Sequence, residues 1–257
     1  MPKAETITSA ANPLLKDVRR AIARGGLTQQ GLLVAETFHL LEEALRSYCE
    51  VKTVLAAESV ADRVRVPARV QVVILPDALL QKVAGTGTSQ GVIALVKPRV
   101  WSLWELFRET ALVVVLDGVQ DPGNAGTIVR AAEAFGATGA MFLKGTASPF
   151  NPKTLRAAAG SLFRIPFVHG VEDAMARVAL ELNRVELFAA VPAGRSVADV
   201  DLTERCGLII GSEARGVGDE LRAAAKEVSI PTVGVESLNA AMAAAILLYE
   251  ARRQRGL

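Results

Sequence analysis

Along this chain short apolar runs alternate with stretches whose apolar positions recur every three or four residues, the pattern of βαβ units rather than of a sandwich or a helical bundle. In the first half the runs at 32–35, 51–56, 71–75 and 91–96 predict strands with helices between them, His39 lying on one of those helices. The second half predicts buried strands at 112–116, 140–143, 165–168, 187–191, 208–210 and 228–230. The pattern breaks at KPRVWSLWELFRET, where Pro98 interrupts it and Trp101 and Trp104 can pack a connecting segment. The expected architecture is α/β in two domains: a small one over 1–97, a linker over 98–110, and a larger parallel-sheet domain over 111–257.

Composition agrees with a packed α/β protein, since 51% of the 257 residues are hydrophobic and only 5% aromatic. MPKAETITSA lacks the apolar core of a signal peptide, and no apolar run reaches the length of a membrane helix, so the expected location is cytoplasmic, without membrane association. Two cysteines, Cys49 and Cys206, and two histidines, His39 and His169, have no zinc-like spacing, so buried free thiols and no metal are expected. Residues 1–100 carry 13 Lys and Arg against 9 Asp and Glu, and the remainder reverses the sign. A mildly basic front half is compatible with an anionic partner such as RNA.

In open parallel sheets ligands bind beyond the carboxyl ends of strands, which directs attention to three loops. The first, DGVQDPGNAGTIVR, leads from a strand into a helix, but it has no P-loop Lys and Ser and its glycines do not fit GxGxxG. Asn124 suits a helix cap there, while Ile128, Ala132 and Phe135 form an apolar face that leaves Arg130 off it, either a plain surface arginine or one facing a cleft. The second, LIIGSEARGVGDEL, carries Ser212, Glu213 and Arg215 after Gly211 and reads equally well as an ordinary strand-to-helix turn. In the third, SIPTVGVESLNAAMAAAILLYE, Ser237 suits the cap of a helix striped by Leu238, Met242, Ala245 and Tyr249; capping leaves Asn239 unexplained.

Taken together and in order, NAGTIVR, IIGSEARGV and IPTVGVESLNAAMAAAILLYE resemble the three motifs of the SpoU (TrmH) RNA ribose methyltransferases of the SPOUT class, over residues 111–253. Upstream, ITSAANPLLKDVRR, GLLVAETFHLLEEAL and TGTSQGVIALV are similar, more loosely, to the RNA substrate-binding domain many members carry. SPFNPKTLRAAAGSLFRIPF is similar to a segment of members that modify ribosomal RNA. The resemblance implies methyl transfer from S-adenosylmethionine to a ribose 2′-hydroxyl, with 23S ribosomal RNA favoured over transfer RNA. It also implies a homodimer and a trefoil knot in the catalytic sheet. A non-catalytic RNA-binding protein of the same fold stays as the alternative; a nicotinamide-dependent oxidoreductase is disfavoured by the missing dinucleotide fingerprint.

Carried onto this sequence, the resemblance places Arg130 beside the reacting hydroxyl, with Asn124, Glu213, Ser237 and Asn239 around it. It implies donor contacts from Val191, Ile210, Gly211, Ile230, Leu238 and Asn239. Because a guanidinium is always protonated and offers no lone pair, Arg130 is expected to stabilise developing charge rather than act as the base, and Glu213 to orient Arg130 or bind an RNA group. Two departures stand out. The stretch 231–237 is one residue shorter than the commonest family form, and Thr37 stands where related substrate domains often have glycine. Candidate RNA contacts are Lys16, Arg19, Arg20 and Arg24, of which Lys16, Arg20 and Arg24 share one helix face, and Lys153 with Arg156 as exposed cations after an Asn151 cap and Pro152.

Overall fold

The computed structural model describes residues 4–85, 87 and 89–256; Met1–Lys3 of the leading stretch and Thr86 and Thr88 of the TGTSQG motif lie outside the described residues. The chain folds as two compact units: residues 1–100 together with 150–164, and residues 101–149 together with 165–257.

In the first unit the order is β1 (Ala4–Thr6), α1 (Pro13–Arg24), β2 (Leu33–Glu36), α2 (Phe38–Arg46), β3 (Glu50–Ala57), β4 (Gln71–Leu75), α3 (Asp77–Val83) and β5 (Val92–Lys97). The sheet order is β1-β4-β3-β5-β2. It is mixed: β1, β4 and β3 run parallel, whereas β5 is antiparallel to both β3 and β2. Helix α3, of 7 residues, spans about 10 Å between β4 and β5. Helix α1 is delimited as its sequence dictates: the Asn12 side chain accepts from the Leu14 amide, Pro13 opens the helix, and Gly25 closes it with φ 62°. Leu15 and Val18 of α1 pack with Val34, Leu55, Val73 and Ile93 of the sheet in one core.

Thr37, the N-cap of α2, has φ 144° and ψ 154°, a region that glycine alone occupies without strain. Its hydroxyl accepts from the Leu40 amide. A glycine at this position would adopt the same conformation without strain.

The second unit contains β6 (Leu112–Asp117), α4 (Pro122–Ala134), β7 (Gly139–Leu143), β8 (Phe167–Val171), α6 (Asp173–Leu182), β9 (Glu186–Ser196), β10 (Cys206–Gly211), α7 (Asp219–Arg222), β11 (Lys226–Ser229) and α8 (Ala240–Gln254). Its six strands are all parallel, in the order β11-β9-β10-β6-β7-β8. Their apolar runs are buried on both faces, with Val113, Val115, Met141, Leu187 and Ile209 in one core. The stretch from Trp101 belongs to this unit: Ser102 and Glu105 make a capping box and Leu106 and Phe107 are buried, while Trp104 remains exposed.

Residues 150–164, with helix α5 (Pro152–Ala158), lie between β7 and β8 in sequence yet pack with the first unit. Glu36, whose side chain is 4% exposed, pairs with Arg156 and also accepts from the Gly85 amide at 2.6 Å. Glu43 pairs with Arg164. Arg156 is therefore not the exposed cation its sequence position suggests, because a buried carboxylate needs a paired charge to be tolerated.

Candidate active site

The site is assembled in the second unit from the carboxyl ends of β6 and β10 and the amino ends of α4 and α8. Asp117, buried at the end of β6, accepts from the Gly218 amide at 2.6 Å. The next residue, Gly118 (φ 69°), donates its amide to the Thr146 hydroxyl at 3.0 Å, and that hydroxyl donates to the Leu116 carbonyl. The turn beyond β6 is thereby braced by the loop after β7.

Asp121, not Asn124, caps α4: its carboxylate accepts from the Asn124 amide at 2.7 Å, with Pro122 as the first helical residue. This frees the Asn124 side chain, whose Nδ2 donates to Glu213 Oε1 at 2.9 Å. Asn239, not Ser237, caps α8; its Oδ1 accepts from the Ala241 amide at 2.9 Å. Asn239 Nδ2 donates to Glu213 Oε1 at 3.1 Å and to Asn124 Oδ1 at 3.2 Å. One residue from each of the three sequence motifs thus meets in a closed hydrogen-bonded set. The Asn239 left unexplained by the sequence has two functions, capping with its oxygen and bridging with its nitrogen.

Beside this set opens a cavity of about 380 Å³ lined by Val191, Ile210, Gly211, Ile230, Leu238 and Leu247, with Glu213, Arg215, Glu236 and Ser237 among its polar lining. Two backbone features shape it. The 212–216 turn folds back so that Ser212 and Gly216 exchange amide-to-carbonyl bonds, which brings Gly216 so near that a Cβ on Gly211 would lie 2.1 Å from its carbonyl carbon. Only glycine fits at 211. On the other side β9 leaves its ladder with β11 between Ala189 and Arg195, and Ala190, Val191 and Pro192 turn into the cavity wall.

Arg130 is exposed on α4 and forms no hydrogen bond or ion pair with the described residues. Six residues beyond Asn124, it lies about 9 Å farther along the axis. Glu213 is engaged with the two asparagines rather than with Arg130, so orienting Arg130 is not its role within this chain. Sequence reasoning passed over Asp117 and Thr146, and named Arg215 without giving it a role. Asp117 was visible as the carboxylate that ends a strand, whereas the loop contact of Thr146 has no local signal. Behind Asp117, the carboxyl of Asp173 is held above its usual range by burial and then by the Asp117 charge. Among the described residues no group of His, Cys, Asp and Glu is placed to hold a metal ion, and no helix is long and apolar enough to cross a membrane.

The model of the SpoU rRNA methylase family matches residues 111–249, and that of the MRM3-like substrate binding domain matches residues 12–94. The chain belongs to the SpoU rRNA methylase family. Within it, a relative from Bacillus subtilis, the 23S rRNA (guanosine(2553)-2'-O)-methyltransferase RlmP, is 34% identical over 96% of this chain and 98% of its own. Among solved SpoU-type structures, the AdoMet-bound rRNA methyltransferase from Sinorhizobium meliloti superposes with a TM-score of 0.85 at 30% identity, covering 97% of this chain and 98% of that one. The SpoU methyltransferase AviRb from Streptomyces viridochromogenes gives 0.82 at 30% identity, covering 95% and 98%.

The remaining site candidates of this SpoU member lie in the first unit. Lys16, Arg20 and Arg24 are exposed along α1, and Lys153 is exposed on α5; none of the four is paired with a described residue. Arg19 donates to the Ala10 carbonyl at 2.8 Å.

Proposed function

We propose that this protein transfers a methyl group from S-adenosylmethionine to a ribose 2′-hydroxyl of 23S ribosomal RNA. The observation that carries the reading is the Asn124–Glu213–Asn239 set at the cavity, supported by the relatives' shared activity. The cavity suits the donor in size and chemistry: apolar side chains from Val191, Ile210, Ile230 and Leu238 can enclose an adenine, with Gly211 allowing close backbone approach. When bound, S-adenosylmethionine supplies a methyl group on a sulfonium, a leaving group already activated.

The chain's own residues then position and stabilise. Glu213 uses Oε1 for both asparagines, which leaves Oε2 available to accept a hydrogen bond from the substrate hydroxyl. Asn124 and Asn239 fix that carboxylate, and Ser237 lines the donor cavity beside them. Arg130, without a partner among the described residues, offers its charge to a phosphate of the bound RNA. The first unit, residues 1–100 with 150–164, acts as the RNA-binding domain, with Lys16, Arg19, Arg20, Arg24 and Lys153 as the candidate contacts, and residues 101–149 with 165–257 act as the methyltransferase domain with its trefoil knot.

A homodimer in the cytoplasm completes the proposal. Of the apolar stripe Leu238, Met242, Ala245 and Tyr249, Met242 and Tyr249 are 57% and 55% exposed and Leu238 and Ala245 half-buried; Ile246 beside them is 38% exposed, and the buried face of α8 includes Ala240, Ala244, Leu247, Leu248 and Ala251. Such a stripe is what a second copy would cover. Incubation with labelled S-adenosylmethionine and unmodified 23S rRNA, followed by mapping of the alkali-resistant linkage, is expected to give one 2′-O-methylated site. Donor binding without label transfer to RNA would reject the enzymatic reading, and a monomer by light scattering would reject the dimer.

A further inference from the structure

The packing of residues 150–164 into the first unit brings two basic segments together that are well over a hundred residues apart in sequence. Gly25, which ends α1, approaches Asn151 so closely that a Cβ there would lie 2.6 Å from Asn151 Nδ2. Arg24 immediately precedes that contact, and Lys153 follows it by two residues, its amide held by Asn151 Oδ1 at 2.9 Å. Gly85 lies so near Ile22 of α1 that a Cβ there would be 2.5 Å from its Cγ2, with the Glu36 carboxylate 3.6 Å from the same point. The same Glu36 carboxylate holds the Gly85 amide and the Arg156 guanidinium.

We propose that α1 and α5 form one continuous surface for the RNA backbone, in which Lys16, Arg20, Arg24 and Lys153 contact phosphates. Within it the buried Glu36–Arg156 pair is an anchor that sets Lys153 in line with α1. The charges support this occupant. Lys16, Arg20 and Arg24 recur every four residues, about 6 Å apart along the helix. The nearby Asp17 is already occupied, both its oxygens accepting from the Gln29 amide at 3.1 and 3.0 Å. Four cations without partners among the described residues, on one surface, fit a polyanion rather than a single small anion. The proposal rests on the RNA reading above and makes Arg156 a positioning residue rather than a phosphate contact.

The test is binding of the full-length protein to unmodified 23S rRNA made in vitro, measured across a series of KCl concentrations. Arg20→Gln and Lys153→Gln, both at exposed positions, should each reduce the slope of log K against log salt by about 0.7–0.9. Arg156→Met should also weaken binding, and adding Lys153→Gln to it should change little further, since Lys153 is already displaced. A slope lowered by Arg20→Gln but untouched by Lys153→Gln would overturn the joined surface, as would a slope that neither changes. Additive losses in the double variant would overturn the anchoring role. Wild-type protein that binds no RNA would instead defeat the RNA reading itself. Thermal melting of Arg156→Met identifies simple unfolding, and Lys153→Gln decides the matter independently.

Discussion

The Asp117 carboxylate accepts the Gly218 amide at 2.6 Å across 101 residues of sequence, joining the end of β6 to the far side of the turn that closes the donor cavity. Gly216 and Val217, just before Gly218, line that cavity. Asp117→Ala leaves a part-buried amide without its acceptor, at a cost of about 1–3 kcal/mol. The expected outcome is roughly tenfold weaker S-adenosylmethionine binding by calorimetry. Asp117→Asn, which keeps an acceptor oxygen, should recover most of it; equal losses in both would refute the hydrogen-bond argument.

Glu213 accepts from Asn124 and Asn239 through the same oxygen. Bonds to a charged acceptor are each worth about 1.5–3 kcal/mol. Glu213→Gln removes the charge while keeping the shape, so methyl transfer should slow by about a hundredfold or more in a protein that melts close to wild type. Retained turnover would exclude the carboxylate from the reaction.

Thr37 holds a backbone conformation suited to glycine, and such strain costs about 1–3 kcal/mol. Replacing a threonine cap by glycine loses only a few tenths of a kcal/mol. Thr37→Gly is therefore expected to stabilise the protein by about 1 kcal/mol, read as a higher midpoint in urea; a lower midpoint would show that the cap outweighs the strain.

Glu250 carries the pH dependence most open to measurement. Bonds from Arg253 and then Gln254 lower its carboxyl from 4.5 to about 2. A pKa depressed on folding contributes stability that is present above the unfolded value near 4.5 and disappears as pH falls toward 2. Arg253 is largely exposed, so solvent screening limits the effect to about 1 kcal/mol. Glu250→Gln should destabilise at pH 7 and have little effect near pH 2; a constant difference across that window would contradict the linkage.

Much of the strand layout was legible because buried parallel strands leave unmistakable apolar runs: β4 was expected at 71–75 and is found at Gln71–Leu75. The misses have identifiable causes. Three-residue β1 is too short for any period to register, and the expected 165–168 strand begins instead at Phe167, past Pro166, which cannot donate to a ladder. Caps were misplaced where two suitable residues compete, as Asp121 with Asn124 and Ser237 with Asn239. Pro122 decided the first case in advance, since proline favours the first helical position; nothing local decided the second. The three site motifs were readable from their loop chemistry, but their meeting at Glu213 was not, because hydrogen bonds spanning 89 and 26 residues have no periodic trace. The apolar stripe on α8 was legible, but its outward direction was not, because apolar periodicity identifies a face without saying what covers it.

The route of the chain carries one more consequence, for synthesis on the ribosome. Glu36 and Glu43 emerge early, but the arginines that neutralise them, Arg156 and Arg164, follow more than a hundred residues later. A nascent fragment ending at residue 100 has two carboxylates whose burial is unfavourable without those counter-charges. The leading unit therefore gains its full set of counter-charges only once translation has passed residue 164, well after its own sheet has emerged, although it is still complete before the second unit.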